Sequence, residues 1–328
     1  MTMLFMKKKY QLERFFVTWL MILFMILTDA FTAFAQVKQA TFLVNGISCD
    51  LEQGILKVEF VTPDVVRVQY TGENTFIGNG TDVCLPRAVD NPVRWVYTPN
   101  PDCYLLKSDS LIVRVDLSTA SITYLDKEGG LLLQEDQNIP RISEKRVTKQ
   151  VIYDEHSKHI EKTADGDKEI KNVLRYDTIG HTWKYRINFK WQPLEALYGW
   201  GAHMEDYMNL RGKELYLCQH NLKAMVPVLN STAGYGLLFD AGCAMMFKDN
   251  SEGSLVELEA AKQIDYYFMK GKTMDAVVAN YRLLTGNSPM MPLYLFGYIQ
   301  SKERYVSSDD LINTLKEYRQ SQIPIDII

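Results

Sequence analysis

No Cys-x-x-Cys pair occurs in this sequence, and its five cysteines (Cys49, Cys84, Cys103, Cys218, Cys243) are widely and irregularly spaced. That pattern excludes the short-spaced zinc and thiol-redox motifs, and no metal site is expected. The odd number leaves at least one thiol unpaired within the chain, and the apolar settings of Cys218 and Cys243 favour buried free thiols over disulfides. Histidine is also scarce, with five residues. Two of these, His156 and His159, fall in a polar stretch and read as solvated. The pair Gly199-x-Gly201 lacks the third glycine and the following helix of a dinucleotide-binding turn, so no cofactor is expected. The net charge is only −4, which carries no basic footprint for nucleic acid.

The beginning of the chain is of a different character from the rest. Lys7, Lys8, Lys9 and Arg14 precede a nearly unbroken apolar run over 15–27, and Ala33-Phe34-Ala35 supplies a small-x-small site before Gln36. This is the layout of a secretory signal peptide over 1–35, so an exported protein, periplasmic or secreted, is expected. The alternative is a membrane anchor; Asp29 interrupts the run and no stop-transfer charges follow it. Gln36 stands where a lipoprotein would have cysteine. Cleavage would leave no stable membrane anchor. It would remove four cations (Lys7, Lys8, Lys9, Arg14) and two anions (Glu13, Asp29), leaving a mildly acidic net charge of −6.

From about residue 38 to 272 short strand patterns dominate. In 54–70, Leu56, Val58 and Phe60 alternate with polar residues, as do Val66, Val68 and Tyr70, with Pro63-Asp64 between the two runs. That is a hairpin pattern. Residues 111–133 hold three short apolar runs separated by Ser118-Thr119 and Gly129-Gly130. The most polar stretch, 145–171, reads as an exposed hairpin turning at 164–167, and 173–191 returns to strand. Many strands and little helix predict a large, mainly antiparallel β-sandwich over 36–272.

The periodicity then changes. Residues 273–285 have helical spacing, with Met274, Val277, Val278, Tyr281 and Leu284 on one face, Thr273 as N-cap and Gly286 after the end. This helix and the proline-rich run to 289 form a connection. Residues 293–300 (LYLFGYIQ) read as a buried parallel strand. Residues 307–321 read as an amphipathic helix capped by Ser308, with Leu311, Leu315 and Tyr318 on its apolar face. Residues 323–328 (IPIDII) read as a second strand. Strand, helix, strand is the opening of a βαβ unit.

Six segments, in order, resemble glycoside hydrolase family 31, which includes α-glucosidases and α-xylosidases. They are EALYGWGA at 195–202, NLRGK at 209–213, PVLNSTAGYGLLFD at 227–240, DYYF at 265–268 with LTG at 284–286, PLYLFGYIQSKERY at 292–305, and IPIDII at 323–328. The resemblance implies a galactose-mutarotase-like β-sandwich followed by a (β/α)8 barrel, of which 290–328 would be the first βα(β) unit. It implies a retaining glycosidase acting on oligosaccharides or glycosides, with carbohydrate bound at the sandwich and barrel junction. Two departures lie at the first barrel strand: Ile299 stands where the family commonly has tryptophan, and Lys302 where it commonly has arginine.

Retaining glycosidases use two carboxylates about 5–5.5 Å apart. The resemblance implies two aspartates from later barrel strands, one of them in a W/K-x-D-x-x-E-like context that this sequence lacks. A whole barrel needs roughly 250 residues. The sequence is therefore expected to be a truncated, inactive portion with no catalytic residue of its own. Glu205 and Asp206 read as solvated loop acids, Glu303 as an ion-pair partner, and Asp326 as too early in its strand to reach a catalytic face. Four residues are candidates for substrate binding: His220 and Asn221, in a segment similar to the family's Q-Y-N; Trp200, as an aromatic platform or else a core side chain; and Gln300, at the end of the first barrel strand. A non-catalytic carbohydrate-binding sandwich module is the alternative function.

Overall fold

The structure, a computed structural model, describes residues 36–78, 83–85, 92–163, 166–251 and 253–328. The leader expected over 1–35 lies outside them. The chain divides into two compact units, the first ending at Thr285 and the second running Gly286–Ile328.

The first unit is built from strands in chain order. The run β1 (Val37–Phe42), β2 (Gly46–Leu51), β3 (Ile55–Thr62) and β4 (Val65–Thr71) is followed by β5 (Trp95–Thr98), β6 (Cys103–Ser108), β7 (Leu111–Asp116), β8 (Ile122–Asp126) and β9 (Leu131–Glu135). Two long strands, β10 (Arg141–Tyr153) and β13 (Val173–Lys190), enclose the small hairpin β11 (His159–Thr163) and β12 (Gly166–Ile170). Then come β14 (Leu197–Ala202), β15 (Glu214–Leu217), β16 (Ala224–Ser231), β17 (Tyr235–Phe239), β18 (Met245–Asn250), β19 (Gly253–Ala261) and β20 (Ile264–Lys270).

Among the described residues these strands make two large antiparallel sheets. The eight-stranded sheet has the order β1-β2-β3-β4-β20-β17-β16-β14. The ten-stranded sheet has the order β15-β18-β19-β13-β9-β8-β7-β6-β5, with β10 joined to β13. The hairpins expected at 54–70 and 111–133 form, as β3–β4 and as β7, β8 and β9.

Alternation places one side chain in two inside the sandwich. In β13, Trp183, Tyr185, Ile187 and Phe189 are buried while their neighbours are not. The central strands β4, β17 and β20 are buried on both faces. Their inner side chains, such as Tyr266 and Phe268, join the main core. Their outer ones, such as Val65, Leu238, Tyr267 and Met269, are covered by Val277 and Leu284 of helix α1 (Met274–Thr285). Thr273 Oγ1 caps α1 by accepting from the Ala276 N–H at 3.2 Å. The helix therefore belongs to the sandwich unit. Met274 and Val278, expected on its apolar face, stay 38% and 44% exposed. All five cysteines are free thiols, three of them buried, and burial pushes the Cys49 thiol up to about 12.

In the second unit, helix α2 (Ser308–Gln320) forms as expected, but its cap lies one residue earlier. Ser307 has the extended backbone that an N-cap needs (φ −150, ψ 168), and its side chain accepts from the Asp310 N–H. Leu311, Leu315 and Tyr318 are among its less exposed side chains, with Asp310 and Thr314. The strand expected over 293–300 is not formed as such. Leu293–Phe296 is a 3-10 turn, and parallel pairing is limited to the bridge Ile299↔Ile327. A parallel strand takes its shape from neighbours on both sides and from covering helices. Here, among the described residues, one bridge supports it, and Leu293 and Phe296 remain 88% and 76% exposed. The strand–helix–strand order is thus present in reduced form.

Candidate functional site

The segment EALYGWGA builds one wall of the candidate site through its backbone. Gly199, Trp200 and Gly201 have φ of 130, 62 and 92, and the β14–β16 register shifts between Gly199 and Gly201. A Cβ on Gly201 would lie 1.9 Å from the Ala224 carbonyl oxygen. Only glycine allows this close, left-handed passage. The bulge turns Trp200 inward. Its ring sits 5.7 Å from that of Phe239 and 5.9 Å from that of Phe247, and its exposure is 0%. Trp200 therefore offers no ring face to a sugar. It is a core side chain, and the platform role expected for it is corrected.

The same bulge exposes the Trp200 carbonyl to His203, whose Nε2–H donates to it at 2.6 Å. Because a carbonyl only accepts, Nε2 carries a proton. His203 faces an open depression of about 730 Å³, lined also by Met204 and by the loop 219–224 that precedes and opens β16. Gln219 clamps this loop. Its Nε2 donates to the Lys223 carbonyl at 2.6 Å and its Oε1 accepts from the Met225 N–H at 2.9 Å. A bridge pairs His220 with Lys223. The clamp lifts His220 and Asn221 to the rim. Nδ1 of His220 accepts from the Leu222 N–H at 3.4 Å, which leaves Nε2 uncommitted. The Asn221 side-chain amide has no partner among the described residues.

Glu205 is not the solvated loop acid that the sequence suggests. Lys223 Nζ donates to its Oε1 at 2.7 Å, and this bond holds its carboxyl below the ordinary value. A carboxylate so held accepts hydrogen bonds and does not serve as a proton donor near neutrality. His203 Nδ1 and Glu205 Oε2 are buried without a hydrogen-bond partner, 3.9 Å apart. These two polar atoms lie beneath the depression, which His203 lines and Glu205 does not. Sequence reading missed His203, for which the signal available was the Gly199-x-Gly201 pair just before it; Gln219 stood in the segment similar to Q-Y-N, but its clamping role was not legible there.

Gln300 lies in the second unit. Its Oε1 accepts from the Tyr298 hydroxyl at 2.7 Å and from the Tyr318 hydroxyl at 2.6 Å. Both acceptor positions are filled and Nε2 donates to the Ser301 carbonyl at 3.5 Å, so one amide N–H remains to offer. Asp326 Oδ2 is occupied by the backbone 28 residues earlier, accepting from the Tyr298 N–H at 3.1 Å.

The other resemblance segments are structural. Glu195 accepts from the hydroxyls of Ser231 and Tyr235. Arg211 donates to the carbonyls of Gln192 and Glu195 and to Asp249, which also receives the Gly212 N–H and the Ser254 hydroxyl. Asp265 is held by Arg67 at 2.9 and 2.6 Å and by Gln69 at 2.8 Å. These buried acids are consumed in joining strands. No group of three or more metal-ligating side chains occurs among the described residues.

The profile of the glycosyl hydrolase 31 N-terminal galactose mutarotase-like domain matches residues 55–247. An α-xylosidase of Saccharolobus solfataricus is 27% identical over 282 residues, covering 83% of this chain and 34% of the relative. An α-glucosidase 2 of Bacillus thermoamyloliquefaciens is 22% identical over 302 residues, covering 87% of this chain and 33% of the relative. Among solved structures, a family 31 dextranase of Flavobacterium johnsoniae complexed with isomaltotriose superposes with a TM-score of 0.66 at 19% identity, over 89% of this chain and 33% of that one. A family 31 α-xylosidase from a soil metagenome, complexed with xylose, gives 0.64 at 20% identity, over 88% and 40%. The chain spans about a third of the length of the curated relatives it matches. The matched profile covers more than half of the sequence, and the chain belongs to the family of glycosyl hydrolase 31 N-terminal galactose-mutarotase-like domains.

Proposed function

We propose that this chain is the N-terminal portion of an exported, retaining α-glycosidase acting on α-linked glucosides or xylosides. In this reading loop 219–224 lines the sugar pocket of the whole protein. The observation that carries it is the clamped loop itself: within a family 31 sandwich, Gln219 holds His220 and Asn221 at the edge of a depression with their outer polar atoms free. Sugars present hydroxyls that amides and imidazoles bind as donors and acceptors. Gln300 belongs to the second unit by itself, where the amide N–H not turned to the Ser301 carbonyl is a further donor for a sugar hydroxyl. The chain alone is catalytically inactive, since its buried acids are spent on structure and the family's catalytic context is missing from the sequence. No nitrophenol is expected from aryl α-glucoside or aryl α-xyloside with the purified chain; enzyme-dependent release would overturn the inactivity.

A non-catalytic binding module is the second reading, favoured by the fact that loop 219–224 lies wholly within the first unit. Calorimetry with gluco- and xylo-oligosaccharides separates the two. Binding that survives removal of 290–328 supports the module, and binding lost with that removal supports the pocket-wall reading.

A further inference from the structure

A second, half-enclosed cavity of about 230 Å³ lies where the two sheets meet, apart from loop 219–224 and sharing no residue with it. The β2–β3 turn, β4, the β7–β8 turn and the start of β10 all contribute to it. Its base is polar but neutral. The Arg141 guanidinium is 3% exposed, donates to both oxygens of the fully buried Glu135 and to the Ala120 carbonyl, and lies 5.6 Å from the centre of the Tyr70 ring. Its charge is matched and these donors are committed.

The rim is different. Gln53 and Asn138 line the cavity, and among the described residues neither side-chain amide has a hydrogen-bond partner. The Tyr70 and Ser143 hydroxyls meet only loosely, at 3.4 Å. Leu51 and Ile139 supply apolar wall. Gln53 sits in the β2–β3 turn, which Gly54 makes possible: the Gly54 φ is +85, and a Cβ there would lie 1.9 Å from the Thr71 carbonyl oxygen.

These features select a ligand class. An anion would need an uncommitted cation, and Arg141 is already matched. A cation would meet Arg141. Two free amides and two hydroxyls offer both donors and acceptors, and apolar walls suit C–H edges. A cavity of about 230 Å³ holds several waters and so has room for a sugar ring. We propose that this cavity binds a single neutral polyhydroxylated molecule of monosaccharide size. The proposal stands apart from the glycosidase reading, because it uses none of the same residues.

The test uses the full chain with D-glucose and D-xylose as probes. Saturation-transfer NMR should show saturable transfer to at least one of them. In methyl-labelled protein the Leu51 and Ile139 methyl signals should shift along the same titration. The double variant Gln53→Ala with Asn138→Ala should weaken binding at least tenfold. Its melting temperature should hold, since these amides make no bonds within the protein. Methyl shifts in the unmutated chain carry the test even if the variant misfolds. Absence of saturable transfer to either sugar would overturn the proposal. So would transfer without shifts at Leu51 and Ile139, or the same shifts produced by inorganic phosphate.

Discussion

Arg141 and Glu135 form an ion pair shut away from water: Nη1 of Arg141 reaches both carboxylate oxygens of Glu135 at 2.9 Å, and the two side chains are 3% and 0% exposed. The carboxylate also accepts the Ile122 N–H at 2.9 Å and the Tyr266 hydroxyl at 3.0 Å, and Tyr266 in turn meets the Tyr124 hydroxyl at 2.9 Å. The cluster ties β8, β9 and β10 of one sheet to β20 of the other. Burial pushes the Glu135 carboxyl above its ordinary value, against the pull of Arg141. The cost of desolvation is therefore high, and the pair is worth less than the damage done by breaking it.

That asymmetry gives the first prediction. Glu135→Gln leaves a buried guanidinium without its countercharge and should destabilise the sandwich by about 3–5 kcal/mol. Replacing both partners, with Glu135→Leu and Arg141→Met, should cost less than the single change. Urea unfolding reads both values; a single variant less damaging than the double one would contradict this account.

The second prediction concerns acid stability. Glu257 sits opposite Arg186 across the β13–β19 ladder. Burial raises its carboxyl, but hydrogen bonds from Lys184 at 2.6 Å and Arg186 at 3.0 Å outweigh that, and the net displacement is downward. With its folded value below the unfolded value of about 4.3, the folded chain binds fewer protons than the unfolded one between the two. The stabilisation is therefore present above about pH 4.3 and is lost as pH falls through the folded value. Glu257→Gln should flatten the fall in unfolding free energy on acidification. Parallel curves for variant and parent between about pH 3 and 6 would count against it.

The third prediction separates core from platform. Trp200 packs between Phe239 and Phe247, and its buried indole N–H has no hydrogen-bond partner. Trp200→Phe removes that unsatisfied donor and keeps an aromatic ring, so it should cost less than about 1.5 kcal/mol. Trp200→Ala should cost about 3–5 kcal/mol. Oligosaccharide affinity should be unchanged in the phenylalanine variant; a loss of affinity with stability retained would restore Trp200 as a contact.

How legible each part was depends on the range of the interactions that fix it. The β3–β4 and β7–β8 hairpins are written locally, in two-residue alternation broken by turn residues, and the sequence shows them directly. Helix α1 is equally local. Segment 293–300 is uniformly apolar, which states burial without stating a period, and its shape depends on neighbours far along the chain. The G-W-G motif shows two glycines but not the direction in which the bulge sends the ring between them. Arg67 and Asp265 are 198 residues apart, and nothing near either one names the other. The candidate loop was half visible: His220 and Asn221 stand in a resembling segment, whereas the clamp by Gln219 and the Lys223–Glu205 pair exist only once β14 and β16 are side by side.

The last prediction follows from that clamp. Asn221 has an unpartnered, exposed amide, so Asn221→Ala should leave stability within about 0.5 kcal/mol. If the amide binds a sugar hydroxyl, its loss removes one hydrogen bond of about 0.5–1.5 kcal/mol, which weakens oligosaccharide affinity by about 2–13-fold. Gln219 acts differently. Its side chain bonds to nearby backbone, the His220 and Lys223 carbonyls and the Met225 N–H at the start of β16, so Gln219→Ala should weaken the same binding by releasing the loop. The two mechanisms part at one amide. Hydrogen exchange at Met225 should speed up in Gln219→Ala, where the N–H loses its acceptor, and stay slow in Asn221→Ala. Equal exchange in the two variants would mean that the loop is held by something other than Gln219, and the positioning argument for His220 and Asn221 would fail with it.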